Sequence, residues 1–285
     1  MNSAANNLFS LMGMDGDWSF PVIAGGLIFI RFVATINMTP FLGTKVVAGN
    51  IKVATAIALT LFVYPIVVPG MEKPQIPQQF SFLFVLFLKE ALFGMLLGTV
   101  NTMIFYGIQS AGSMVDNQRY VANARIFNPA LGAQTSIFGV FFYQLCIAIF
   151  IVIGGHRYFL KALVESFQVV PVFSLPKIMV PTITTGAVTN AVPMLELFMK
   201  LSAQTLIICL QLSAPVLIAI FVADLVLGIT NRIAPMINVF EMGFNIKGFV
   251  GVLLVYLSIP LFINQSKYWF QVLISYYSRI IDYFR

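Results

Sequence analysis

Apolar residues run along this chain in long blocks: Phe20–Leu42, Val46–Val68, Phe80–Gln109, Ile137–Ile153, Met194–Ile229 and Phe249–Ile263. Most are as long as a helix needs to be to cross a bilayer, about 20 residues. Two further pieces, Tyr158–Val169 and Tyr268–Phe284, are amphipathic. Together they predict roughly six to eight helices at that span length. Pro69, Pro74 and Pro77 mark one connection and Pro171, Pro176 and Pro181 a second, because proline removes a donor and restricts the residue before it. No charge-rich linker or soluble insert divides the blocks, so one integral domain over residues 1–285 is expected.

One segment breaks the pattern. Between two apolar blocks lies Gly112 to Gly139, GSMVDNQRYVANARIFNPALGAQTSIFG. Asp116, Arg119 and Arg125 make it too polar to face lipid, while Val121, Ile126 and Phe127 make it too apolar for a solvated loop. Irregular backbone at membrane depth is tolerated only where protein buries it or it lines a cavity. The spacing of Asp116 and Arg119 lets them bridge if that turn is helical. Such a bridge would pin the base of the segment and leave an apolar tip.

Composition sharpens the class. Hydrophobic residues make up 59% of the chain and charged residues 9%, with a mean hydropathy of +0.93. Soluble domains carry roughly 25% charged residues, so a water-exposed globule is excluded. Met1 to Asp17 has no basic region and no small-residue cleavage site, so the first apolar block is expected to be retained. Basic residues fall in successive connections, at Lys45, Lys52, Lys73, Arg119, Arg125, His156, Arg157 and Lys161. Neither side gathers the excess that ordinarily sets orientation.

Several charges sit within or beside apolar blocks: Arg31, Lys89, Glu90, Glu196, Lys200 and Asp224. Each would cost at least about 2.5 kcal/mol at the centre of a lone helix, so each is expected to meet a protein group. Glu196 and Lys200 are spaced to pair on one helix face. Lys89 and Glu90 are adjacent, point about 100° apart, and are expected to need different partners. Structural ion pairing is one reading of these charges; a proton or ion path is the other. Pro40, Pro65, Pro215, Pro235 and Pro260 predict kinks or helix ends. Such a chain suits a subunit packed in an assembly, and it suits a transporter.

Chemistry finds little purchase. With His156 as the only histidine, no metal-ligand cluster or Ser-His-Asp set can be composed, and a helix-capping or interfacial role is expected for it. No glycine loop with a lysine cradles phosphate, and no cofactor is implied. Cys146 and Cys209 lie inside apolar blocks and read as small buried hydrophobes. Gly94 and Gly98 form a GxxxG that allows close helix approach. The 28 phenylalanines and 13 methionines are core or lipid-facing, or an adaptable lining for a pore.

A resemblance emerges from these residues taken in order. Asp116-Asn117-Gln118-Arg119, Asn128-Pro129, Gly132, Gln134-Thr135-Ser136 and Gly139 resemble the central signature of the SctT/FliR family of type III secretion export-gate proteins. Arg31 through Pro40 to Lys52 resembles its first hairpin, and Lys89-Glu90 with Gly94 and Gly98 its "KE…G…G" helix. Gly154-Gly155-His156 and Asn231-Arg232-Ile233-Ala234-Pro235 through Phe240 resemble later landmarks. The likeness covers about Phe20 to Phe262, and its DNQR and QTS pieces favour the injectisome branch, SctT. Tyr120, Met236 and Glu241 depart from the family pattern.

The resemblance implies an all-α fold of kinked, membrane-type hairpins packed into a helical export gate with SctR/FliP-like and SctS/FliQ-like subunits, beside an SctU/FlhB-like switch protein. Unfolded secreted proteins would be the cargo, membrane lipid would surround the base, and no nucleic acid is involved. The location implied is the bacterial inner membrane, within the basal body. A plug of the closed pore would fall on Arg119, Tyr120, Val121, Arg125, Ile126, Phe127, Asn128, Pro129 and Leu131. Arg31, Lys89, Glu90, Asp116, Glu196, Lys200, Asp224 and Arg232 would be structural charges. No catalytic residue is expected, and the isolated chain should be a poor monomer. A secondary transporter of small solutes is the competing class; it would normally carry an internal repeat, and the two halves show no self-similarity.

Overall fold

In a computed structural model, residues 19–43, 47–68, 80–119, 136–174, 193–236 and 238–284 are described. They form an all-helical protein. Seven helices follow in order: α1 (Ser19–Met38), α2 (Gly49–Val67), α3 (Phe80–Gln118), α4 (Ile137–Val152), α5 (Gly155–Val169), α6 (Pro193–Ile233) and α7 (Val239–Phe284). Five of them, α1, α2, α3, α6 and α7, are long and apolar enough to cross a membrane.

The residues gather into two compact units. One holds α1, α2, α3 up to Thr102, α5 and the end of α7 from Leu273; the other holds α3 from Met103, α4, α6 from Phe198 and α7 up to Val272. In the first unit α1 packs on α2. α1 buries Ala24, Leu27, Ile28, Phe32 and Ile36. α2 buries only Ala56, Thr60, Val63 and Val67, a stripe at helical spacing, and leaves Ile57, Leu61, Phe62 and Ile66 exposed. In the second unit Phe105 packs edge-on to Phe150 at 5.4 Å and Phe142 stacks on Phe262 at 5.5 Å.

Two helices differ from the sequence pattern. α3 continues nine residues past Gln109 to Gln118. Gly112 lies where the start of α4 abuts α3: a Cβ would lie 2.4 Å from the Phe138 carbonyl. The pieces expected as Phe249–Ile263 and Tyr268–Phe284 are one helix, α7. Its polar interruption stays helical because Asn264, Gln265 and Lys267 are exposed, while buried Ser266 donates its hydroxyl to the Phe262 carbonyl at 2.7 Å. Pro65, Pro215 and Pro260 sit inside α2, α6 and α7, which run on through them. Pro40 and Pro235 do fall just past helix ends. At the end of α4, Gly154 turns the chain with φ 81°, a conformation glycine adopts without penalty.

The GxxxG of α3 is a packing seam. A Cβ on Gly94 would stand 2.5 Å from the Arg31 carbonyl, and one on Gly98 would stand 2.5 Å from the Met38 Cβ. One turn on, the Thr102 hydroxyl donates to the Met38 carbonyl. Backbone and not a flexible tip opposes Gly94, so relaxation is limited. Gly94→Leu is therefore expected to destabilise the chain by about 1–3 kcal/mol or more through overpacking. Thermal unfolding in mild detergent checks it, with Gly25→Leu, where a Cβ would meet open space, as the tolerated control.

Candidate functional site

The segment that the pattern singled out is anchored at both ends by one carboxylate. Asp116 is buried in the last turns of α3, and Ser136 is the N-cap of α4. Asp116 Oδ2 accepts the Ser136 hydroxyl at 2.6 Å and the Phe138 N–H at 2.8 Å. Ser136 Oγ in turn accepts the Gly139 N–H at 2.8 Å. Two of the four backbone donors left open at a helix start are thereby satisfied, and a negative charge sits where the helix dipole favours it.

On its other oxygen, Asp116 Oδ1 lies 3.4 Å from Arg119 Nη1. The Arg119 guanidinium covers the Phe138 ring at 4.6 Å, and its stem lies against Gly251 of α7, where a Cβ would come within 2.4 Å of Cδ. Burial draws the guanidinium below its ordinary value, with Asp116 pulling the other way. Residues 119 and 136 are thus held on one carboxylate. Tyr120, Val121, Arg125, Ile126, Phe127, Asn128, Pro129 and Leu131 lie outside the described residues.

The first unit holds a buried charge cluster. Arg31 on α1 and Glu90 on α3 are fully buried. Arg31 Nη2 donates to Glu90 Oε1 at 2.9 Å and to the Val170 carbonyl at 2.8 Å, Nη1 donates to Ser166 Oγ at 3.1 Å, and Nε pairs with Glu90 Oε2. Its guanidinium stacks 4.0 Å from the Phe167 ring. Lys89 Nζ donates to the carbonyls of Pro171 and Val172 at 2.9 Å and of Ser174 at 3.1 Å.

Lys89 and Glu90 do not take wholly separate partners: Nζ also meets Glu90 Oε1 at 2.6 Å. The lysine's four-carbon stem is flexible enough to fold back across the angle between neighbouring positions. Two cations share one carboxylate, and carbonyls at the C-terminal end of α5 supply the rest of the negative potential, as a helix C-terminus does.

A third pair lies in the second unit, where Asp224 of α6 meets Lys247 of α7. Lys247 is buried, and sequence reasoning missed it: it stands just ahead of the apolar block that starts at Phe249. Ser166, Phe138 and Gly251 were missed as well. Glu196 and Lys200 are exposed on the first turns of α6, and each has an interaction partner. Arg232 is exposed in the last turn of α6. His156 is the second residue of α5, and Cys146 and Cys209 are buried and reduced. Among the described residues no group of three or more His, Cys, Asp or Glu could hold a metal.

The chain matches the model of the bacterial export proteins, family 1, over residues 22–273. It is 34% identical over 235 residues to Yop proteins translocation protein T of Yersinia pestis, covering 82% of this chain and 85% of that one. It is 30% identical over 227 residues to the flagellar biosynthetic protein FliR of Bacillus subtilis, covering 78% and 80%. Secretion system apparatus protein SsaT of Salmonella typhimurium is 27% identical over 241 residues, covering 84% and 88%. The chain belongs to this export family, the SctT/FliR family, and is a multi-pass inner-membrane component of a type III secretion export apparatus. The higher identity to the Yop translocation protein is consistent with the injectisome branch.

Proposed function

We propose that this chain is, along its whole length, a core subunit of the export gate. It assembles with SctR-like and SctS-like subunits, beside an SctU-like switch protein, into the entry pore for unfolded secreted proteins, and its segment from Arg119 to Ala133 plugs that pore. It catalyses no reaction; its role is to form and close a path. The observation that carries this reading is the Asp116 staple. A polar and apolar segment of an export-family chain is fastened at both ends, through Arg119 and Ser136, to one buried carboxylate. A fixed base suits a stopper whose apolar residues exclude water and ions, in the manner of hydrophobic constrictions that gate by dewetting.

Deletion of Val121 to Asn128 in an otherwise assembled gate tests this. The deleted gate is expected to assemble, because the staple residues remain, and to conduct small ions in planar-bilayer recordings where the parent is silent. Conductance at the closed baseline would show that the segment is no plug.

A further inference from the structure

α6 and α7 run antiparallel in the second unit, with Asp224 facing Lys247 and Leu227 in contact with Gly243. Between Gln211 and Thr230 on α6, and between Asn245 and Asn264 on α7, the outward residues are almost entirely apolar; Phe221 (62% exposed) and Leu225 (52%) are examples. Each stretch is roughly 27–28 Å long at about 1.5 Å per residue, close to the hydrocarbon thickness of a bilayer. One charge reaches the surface of this band. The Asp224 side chain is 41% exposed, whereas its partner Lys247 is 2% exposed. A carboxylate offers about four acceptor sites, and Lys247 reaches it from the buried side.

A half-exposed carboxylate in the middle of an apolar band is costly against lipid, about 2.5–3.5 kcal/mol on insertion scales. Beside it the surface carries two small residues facing open space: a Cβ on Gly228, one turn along α6, or on Gly248 of α7 would meet nothing within 4 Å. Small residues at a surface let another helix backbone come close. We propose that Asp224 and these two glycines are a docking site for an apolar helix of a neighbouring gate subunit. That helix carries a hydrogen-bond donor (lysine, arginine or a hydroxyl) at the depth of Asp224. The inference rests on the assembly proposed above for the identity of the occupant. Charge and shape complementarity, not apolar area alone, select it.

The test uses the full chain, alone and co-expressed with its SctR-like and SctS-like subunits. Asp224→Leu alone would take one counter-charge from buried Lys247, so the decisive variant is Asp224→Leu with Lys247→Met. It removes the pair together, a change that buried ion pairs often tolerate in folding. The double variant is expected to melt like the parent yet recover at least tenfold less of the partner subunits. A lipid-soluble maleimide is expected to label Phe221→Cys in the chain alone, over a parent whose two cysteines are buried, and at least tenfold less in the assembly. Equal labelling in both states would mean that lipid covers the band, and protection in the chain alone would mean that a second copy does; either result overturns the proposal. Parent-like recovery by the double variant overturns it while leaving the assembly standing. A parent chain that recovers no subunits overturns both.

Discussion

Replacing Glu90 with leucine is expected to remove most of the folded protein. Among the described residues, Glu90 is the carboxylate that meets two cations in this cluster, and all three side chains are buried. Without it Arg31 keeps Ser166 Oγ and the Val170 carbonyl, and Lys89 keeps three carbonyls, but two buried positive charges face each other with no counter-charge. Breaking a buried pair by removing one partner costs about 3–5 kcal/mol, a large part of the roughly 5–15 kcal/mol that ordinarily separates folded from unfolded chains. The expected result is a severalfold loss of accumulation in membranes and a lowered unfolding midpoint in mild detergent.

Glu90→Gln should be milder than Glu90→Leu, since it keeps one acceptor for Arg31. Combining Arg31→Met with Glu90→Leu should recover much of the loss, because only Lys89 is then charged and its carbonyl partners remain. A double variant as unstable as Glu90→Leu would show that the pairing is not what the single change destroys.

How much of this cluster could be read in advance depends on what its partners are made of. Arg31, Lys89 and Glu90 stand out because charge inside an apolar block is costly, and that logic needs no structure. The groups that complete them do not stand out. Val170, Pro171, Val172 and Ser174 contribute carbonyl oxygens, which every residue has, 139 positions beyond Arg31 and 82 to 85 beyond Lys89. Lys247 was hidden for another reason: it stands at the edge of an apolar block, two residues after Asn245, where a lysine normally reaches for water. The GxxxG was legible as a permissive motif, but the Arg31 and Met38 atoms against it were not. The continuity of α7 was obscured because hydropathy falls at Asn264–Lys267 while helix geometry tolerates those residues on an exposed face. The division into two units follows long helices that serve both, which block boundaries do not reveal.

At the loop base the i,i+3 spacing of Asp116 and Arg119 was visible, whereas the grip on α4 depends on a backbone N–H and on the missing side chain of Gly251. That grip makes a sharp expectation for Asp116→Ala. The change deletes a charge-assisted acceptor of the Phe138 N–H and the Ser136 hydroxyl, each such bond worth about 1.5–3 kcal/mol, together with the bridge to Arg119. The start of α4 should fray while the distant packing of Phe142 on Phe262 holds. Amide hydrogen exchange at Phe138 is expected to speed up by at least tenfold, with little change at Phe150. Asp116→Asn keeps one carbonyl acceptor and should fall between Asp116→Ala and the parent. Ser136→Ala loses one bond to Asp116 and the cap on Gly139, a loss of about 1 kcal/mol, and should expose the Gly139 amide more than that of Phe138. In an assembled gate Asp116→Ala should also leak ions, though less than deletion of Val121 to Asn128, since the stopper is loosened and not removed. If Phe138 exchange is unchanged in Asp116→Ala, the carboxylate does not hold the base and the leak has another origin.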